Sequence, residues 1–381
     1  MDRQRGPIGR PKRKWVRGAV VALGLAFLPH LGCLSGDPRA NPTGCSAPFD
    51  TTGPIALEWP RSLMVVQQAG GRGAIRVRGQ LVDVRSDAVL ARYRGGAWLR
   101  IEVDPVSGAF DALLPEASSG WGAVDVVLES DPGIGTTVSP VGVGNVVILA
   151  GQSNMVMRLT TRSFTLRGAT VLGRRRNPAD PQAIQWAADP MHDCRDETGS
   201  IWPALGDRLI RGTGGIPVMF VATSVGGTGL AATGQWLPSG DRFASMIDEI
   251  RTATAGQMCA AALLWLQGET DARYAVPREA YRDALVSFAT GVEDAMACPV
   301  PVVAGVIGRI EESLLVDPAA AEAIREGTVD AIDASPDVWT GPWTYDLPID
   351  GLHFTDAAAG PLLDRWCDAI AAAPTGLRCA P

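Results

Sequence analysis

Four short runs of uninterrupted apolar residues constrain this chain more than any other feature. They are Val146–Ala150, Val218–Ala222, Ala261–Leu266 and Val302–Ile307. Runs of this length suit central strands of a parallel sheet, buried on both faces. Helical patterns separate and follow them. In Asp241–Ala255, Phe243, Met246, Ile247 and Ile250 share one face, and Asp241 is placed to cap. Pro277–Met296, Pro318–Asp333 and Thr355–Ala372 also read as helices, two of them opening on proline, which the first helical position tolerates. Strands alternating with helices predict a layered α/β fold with a parallel sheet. Ligands of such sheets bind beyond the carboxyl ends of the strands, so the loop after each run is where chemistry is expected.

The residues before the first run read differently. In 56–140, short alternating or β-branched stretches recur (Ser62–Gln67, Ala74–Val84, Ala97–Val103, Val124–Glu129), punctuated by Gly, Pro and Asp clusters. That spacing predicts a small β-sandwich-like accessory domain. Residues 34–55, rich in Pro, Gly, Ser and Thr, read as a linker. The resulting division is 1–33, 34–55, 56–140 and 141–381.

Residues 1–33 read as an export signal. A basic stretch ends at Arg17 and an apolar run follows from Gly18 to Leu28. Spanning a bilayer takes about 20 apolar residues, so this run is too short for a membrane helix. Leu31-Gly32-Cys33 resembles a bacterial lipoprotein cleavage box, although His30 stands where an aliphatic residue is usual. The expected location is therefore outside the cytoplasm: periplasmic, secreted, or a surface lipoprotein attached to a membrane through lipidated Cys33. Six further cysteines follow. Export permits disulfides, and closeness in sequence suggests Cys259–Cys298 and Cys367–Cys379, with free buried thiols as the alternative.

Charge excludes one class of partner. The segment 1–33 holds seven of the 34 basic groups and one of the 41 acidic groups. The remainder is left with 27 basic against 40 acidic groups, which disfavours nucleic acid. Histidine is scarce: His30, His192 and His353 are all there are. Met191-His192-Asp193-Cys194 offers ligands too close in sequence and without a partner cluster, so no metal site is expected.

Each strand-end loop carries a suggestive group. After the first run comes Gly151-Gln152-Ser153-Asn154-Met155, a serine at a strand-to-helix turn that could be a nucleophile or merely a helix cap. After the second comes Val225-Gly226-Gly227-Thr228, whose bare N–H groups could meet an anion. After the third comes Gln267-Gly268-Glu269-Thr270-Asp271. Near the C-terminus Asp350-Gly351-Leu352-His353 can set a carboxylate beside an imidazole. No Gly-x-Ser-x-Gly occurs, which argues against an α/β-hydrolase elbow.

Taken together and in this order, the four blocks resemble those of the SGNH hydrolases. Within them the chain looks most like the sialate O-acetylesterase-like group, which includes the acetylxylan esterases of carbohydrate esterase family six. The most specific stretch is Val147–Met155, and the resemblance covers roughly 145–373. It implies a flavodoxin-like three-layer α/β/α catalytic domain. It implies a serine esterase acting on O-acetylated carbohydrate, with Ser153 as nucleophile, His353 as general base and Asp350 as its orienting acid. The implied oxyanion donors are the N–H groups of Ser153 and Gly226, or Gly227 if the register slips, and the Gln267 side chain. Gln152, Asn154 and Glu269 would support the loops, and Arg158 would meet substrate or a carboxylate. Thr270 stands where the wider superfamily usually has Asn. No cofactor is implied. Trp236, Trp265 and Trp343 could stack on sugar rings or pack the core. A non-catalytic carbohydrate-binding protein and a lipase or thioesterase of the same superfamily are the alternatives.

Overall fold

The computed structural model describes residues 53–82, 86, 88–172, 183–191 and 198–381. Residues 1–33, expected to be an export signal, with Cys33, most of the expected linker, Cys45, and the His192–Cys194 segment lie outside the described residues. The described chain begins with seven strands: β1 (Ile55–Trp59), β2 (Val65–Gln67), β3 (Arg72–Leu81), β4 (Ala88–Tyr93), β5 (Leu99–Glu102), β6 (Ala109–Ser118) and β7 (Gly120–Leu128). The longest strand, β8 (Gly135–Gly151), follows. After it come α1 (Ser153–Val156), β9 (Thr170–Leu172), β10 (Ile184–Trp186), α2 (Trp202–Gly212), β11 (Val218–Ala222), α3 (Asp241–Ala253), β12 (Ala262–Leu266), α4 (Glu269–Arg273) and α5 (Arg278–Ala295). The chain ends with β13 (Val302–Val306), α6 (Ala320–Ala334), β14 (Val338–Trp343), β15 (Ile349–Asp350), β16 (His353–Phe354) and α7 (Ala359–Ala372).

The fold is mixed α/β, built around one large mixed sheet. Its spine runs β10-β9-β11-β8-β12-β13-β14. The four apolar runs occupy β8, β11, β12 and β13, which pair in parallel with one another and with β14. Val146 to Ala150 have no exposure: β11 and β12 flank β8 on both edges, and both faces of the strand are covered. Burying each such side chain contributes about 1.5–3 kcal/mol, so alternation with polar residues would be penalised here.

The expected parallel sheet is the middle of a mixed one. β10 runs antiparallel to β9, and β7 runs antiparallel to the first half of β8. β4 and β5 extend the sheet beyond β7, while β1, β3 and β6 form a separate three-stranded antiparallel sheet. β8 also runs straight through the expected boundary at residue 141, pairing with β7 on both sides of it and with β2, β11 and β12 beyond it.

Helix α3 begins one residue earlier than a cap at Asp241 would have it. Gly240 is its N-cap and Asp241 is the first helical residue, where a carboxylate still favours the positive end of the helix. Phe243, Met246, Ile247 and Ile250 are all buried, as the periodicity predicts. Pro277 likewise caps α5 rather than opening it. Both disulfides suggested by sequence proximity are present, Cys259–Cys298 and Cys367–Cys379.

Candidate active site

Strand β8 ends in a close approach that only glycine permits. Gly151 has φ +135°, and a Cβ there would lie 2.2 Å from the Leu266 carbonyl oxygen. Gln152 then bonds back to β12 through its N–H, and Ser153 opens the single turn α1. The next loop is stitched to this one. Val225 donates its N–H to the Gly151 carbonyl, and the hydroxyls of Thr223 and Ser224 donate to the Leu149 carbonyl. The result places Gly226 against Ser153: a Cβ on Gly226 would stand 3.6 Å from Ser153 Cβ. Gly226 and Gly227 are exposed, and Gly227 has φ +75°.

The C-terminal block completes the site. Asp350 and His353 are cross-strand partners in the two-stranded β15–β16 hairpin, joined by Gly351 (φ +66°) and Leu352. The hairpin brings His353 Nε2 to 3.0 Å from Ser153 Oγ, across 200 residues of sequence. His353 is half-buried, and its imidazole is held below its ordinary 6.5, first by burial and then by the Arg158 guanidinium. The Asp350 carboxylate pulls the other way. Asp350 itself is exposed, and among the described residues no carboxylate hydrogen-bonds the His353 ring. Asp350 therefore acts on His353 through its charge in this arrangement.

Two clamps hold the hairpin over α1. Asn154 Nδ2 donates to the Leu352 carbonyl at 2.8 Å, and Asn154 Oδ1 accepts from the Phe354 N–H at 3.3 Å. Asp356 accepts the N–H and hydroxyl of both Thr160 and Thr161, at 2.5–3.1 Å. Asn154 is itself tethered to buried Glu269 by a 2.5 Å bond.

Gln267 requires correction as an oxyanion donor. It is fully buried, and its NH₂ faces Gln152 Oε1 (3.1 Å), the Thr228 carbonyl (3.2 Å) and Asp271 Oδ2 (2.5 Å). An amide has two N–H donors, and these acceptors occupy both. Gln267 thus braces the loops from beneath. Gln152 Oε1 also receives the Thr270 N–H, so Thr270 contributes its backbone to the same brace.

Two members of the network carry no role in the sequence reading. Asp271, fully buried, accepts the N–H groups of Leu230, Ala231 and Ala232 as well as the Gln267 amide. Tyr281 donates its hydroxyl to the Gln267 carbonyl at 2.6 Å. Asp271 stands in a quoted block, but its spacing of four from Gln267 was the sole signal. Tyr281 lies on α5, where the sequence offers a core aromatic and nothing more.

Of the three tryptophans, Trp236 and Trp265 are fully buried and pack edge-to-face at 5.4 Å, so they belong to the core. Trp343 is half-exposed at the carboxyl end of β14.

A serine hydroxyl, an adjoining imidazole and bare glycine backbone at the carboxyl edge of a large α/β sheet are the equipment of an acyl-transferring hydrolase. The chain belongs to the carbohydrate esterase family of sialic acid-specific acetylesterases, whose model matches residues 143–371. It is a carbohydrate O-acetylesterase. Among solved structures, a carbohydrate acetylesterase from Xanthomonas citri is similar over 84% of this chain and 73% of its own, with 17% identity and a TM-score of 0.57. A protein from Arabidopsis thaliana is similar over 60% of this chain and 98% of its own, with 17% identity and a TM-score of 0.48. No curated protein matches the chain in sequence.

Proposed function

We propose that the protein removes O-acetyl groups from carbohydrates through a Ser153 acyl-enzyme. The observation that supports this most is the 3.0 Å separation of Ser153 Oγ and His353 Nε2. Neutral His353 takes the Ser153 proton as the hydroxyl attacks the acetyl carbonyl. The oxyanion is received by the N–H groups of Ser153 and Gly226, with Gly227 adjoining. His353 then protonates the departing sugar hydroxyl, and water admitted to the site releases acetate by the same steps. The imidazolium formed on the way is stabilised by the nearby charge of Asp350. Gln152, Gln267 and Asp271 keep the donor loops in register without touching the oxyanion.

The same reading treats 141–381 as a three-layer catalytic region and 56–140 as a sandwich-like accessory module. Acetylated sialic acids, xylan and other glycans are all candidate substrates. Export through residues 1–33, with Cys33 as a lipid attachment point or with free release, is part of the proposal. The disulfides Cys259–Cys298 and Cys367–Cys379 are in keeping with an oxidising compartment.

The test is acetate release from a panel of acetylated glycans by the wild type and by Ser153→Ala and His353→Ala. Both variants should lose about 10³-fold or more in kcat. Turnover equal to the wild type in Ser153→Ala would overturn the acyl-enzyme mechanism.

A further inference from the structure

The buried carboxyl of Glu269 lies outside the reacting set, yet it touches the residue that frames His353. Glu269 follows Gly268, whose φ of +149° turns the chain sharply from β12 into α4. A Cβ at Gly268 would stand 2.6 Å from Ile324 of α6, so the turn is packed from below. Glu269 is 1% exposed. Its Oε1 accepts the Asn154 amide at 2.5 Å, and its Oε2 meets no hydrogen-bond partner among the described residues. Asn154 in turn grips the backbone on both sides of His353, through the Leu352 carbonyl and the Phe354 N–H. An amide side chain with its Nδ2 fixed by a carboxylate has its Oδ1 direction fixed as well.

We propose that Glu269 is a positioning residue: its ionised carboxylate orients Asn154, which sets His353 Nε2 at bonding distance from Ser153, and protonation of Glu269 slackens that clamp. This rests on the Ser153–His353 reading above and goes beyond it by adding a second ionisation to the site. A charge-assisted bond is about twice as strong as a neutral one, so the protonated acid still accepts from Asn154 but holds it less firmly.

The surroundings make the titration accessible. Burial, helped by the neighbouring Asp271 carboxylate and opposed by the bond from Asn154, pushes the Glu269 carboxyl up to about 7. On α5 the Tyr281 hydroxyl, bonded to Gln267, is pushed well above its ordinary value first by burial and then by the Asp271 and Glu269 carboxylates. On α6 the buried Arg325 is engaged by the Gly308 carbonyl and Glu322. On the hairpin the charged groups are His353, in contact with Ser153, and exposed Asp350. Arg158, beyond α1, acts on His353.

The experiment measures kcat and KM for an aryl acetate across the acidic and neutral range. It compares the full-length wild type with Glu269→Gln, Asn154→Ala, the double variant and Ser153→Ala. Glu269→Gln should lower kcat about threefold to tenfold while leaving KM nearly unchanged. The wild-type kcat should rise with pH through two ionisations, and the Gln variant through one. The double variant should be no slower than Asn154→Ala alone, since Glu269 acts through Asn154. Wild-type kcat and an unchanged pH profile in Glu269→Gln overturn the proposal, as do losses that multiply in the double variant. A second readout needs no variant: a protonated-carboxyl infrared band of the folded wild type should titrate near neutrality, and its absence also overturns the proposal. Retained activity in Ser153→Ala would instead defeat the esterase mechanism itself, so the two failures are distinguishable.

Discussion

His353 illustrates how much a single side chain owes to its neighbours. Its charge balance sets a pH limb that can be moved. Arg158 lowers the imidazole, so Arg158→Gln should let it rise and shift the acidic limb of kcat/KM to higher pH. A limb that stays in place, measured with the aryl acetate, would refute Arg158's influence. Glu269 makes a contrary prediction for stability. Its carboxyl is raised from 4.5 to about 7 in the folded protein. The folded state therefore holds a proton that the unfolded chain has lost between those values. The associated stability is fully present below about 4.5 and is lost as pH rises through about 7. Glu269→Gln removes that loss and should be of order 1–3 kcal/mol more stable than the wild type above neutrality, by denaturant melts, while turning over more slowly. The pairing of Ser153 with His353 at 3.0 Å was legible in the sequence because the two stand in blocks of distinctive order. Gln267 was legible as a member of the site but not as a brace. Its direction depends on Asp271 and Tyr281, which lie 4 and 14 residues away and meet it only in the fold.

The elements recovered from sequence are those whose burial is extreme. β8, β11, β12 and β13 are apolar at every core position because their side chains are buried on both faces of the sheet. β14 (Val-Trp-Thr-Gly-Pro-Trp) escaped notice because it lies at the end of the spine, paired to β13 on one side, and mixes exposed and buried positions. Single-turn α1 and the two-residue strands β15 and β16 leave no periodicity to detect, although they carry Ser153 and His353. The turn from β8 into α1 is the element most sensitive to one atom. Gly151→Ala would force a Cβ onto the Leu266 carbonyl at a φ that L residues rarely adopt. It should cost about 2–4 kcal/mol and move Ser153 enough to reduce kcat at least tenfold. A variant with unaltered melting temperature and turnover would show that the strand end has slack.

At the scale of the molecule, the layered α/β class was readable but the mixed pairing was not. Strand direction in β7 and β10 is decided by partners distant in sequence, and apolar runs look alike whichever way a neighbour runs. The change in periodicity behind the division at residue 141 lies near Asn145, where β8 passes from β7 and β2 to β11 and β12. That passage has a practical outcome. A protein begun at residue 141 would lose β7 and β2 and keep a stub of β8 whose first backbone groups face water. Bare strand edges recruit other strands. The shortened enzyme should therefore elute as soluble oligomers or precipitate, whereas one begun at residue 53 should remain monodisperse, as size-exclusion chromatography would record. The β-rich segment would then be a lifelong chaperone in cis, shielding the very strand that leads into Ser153.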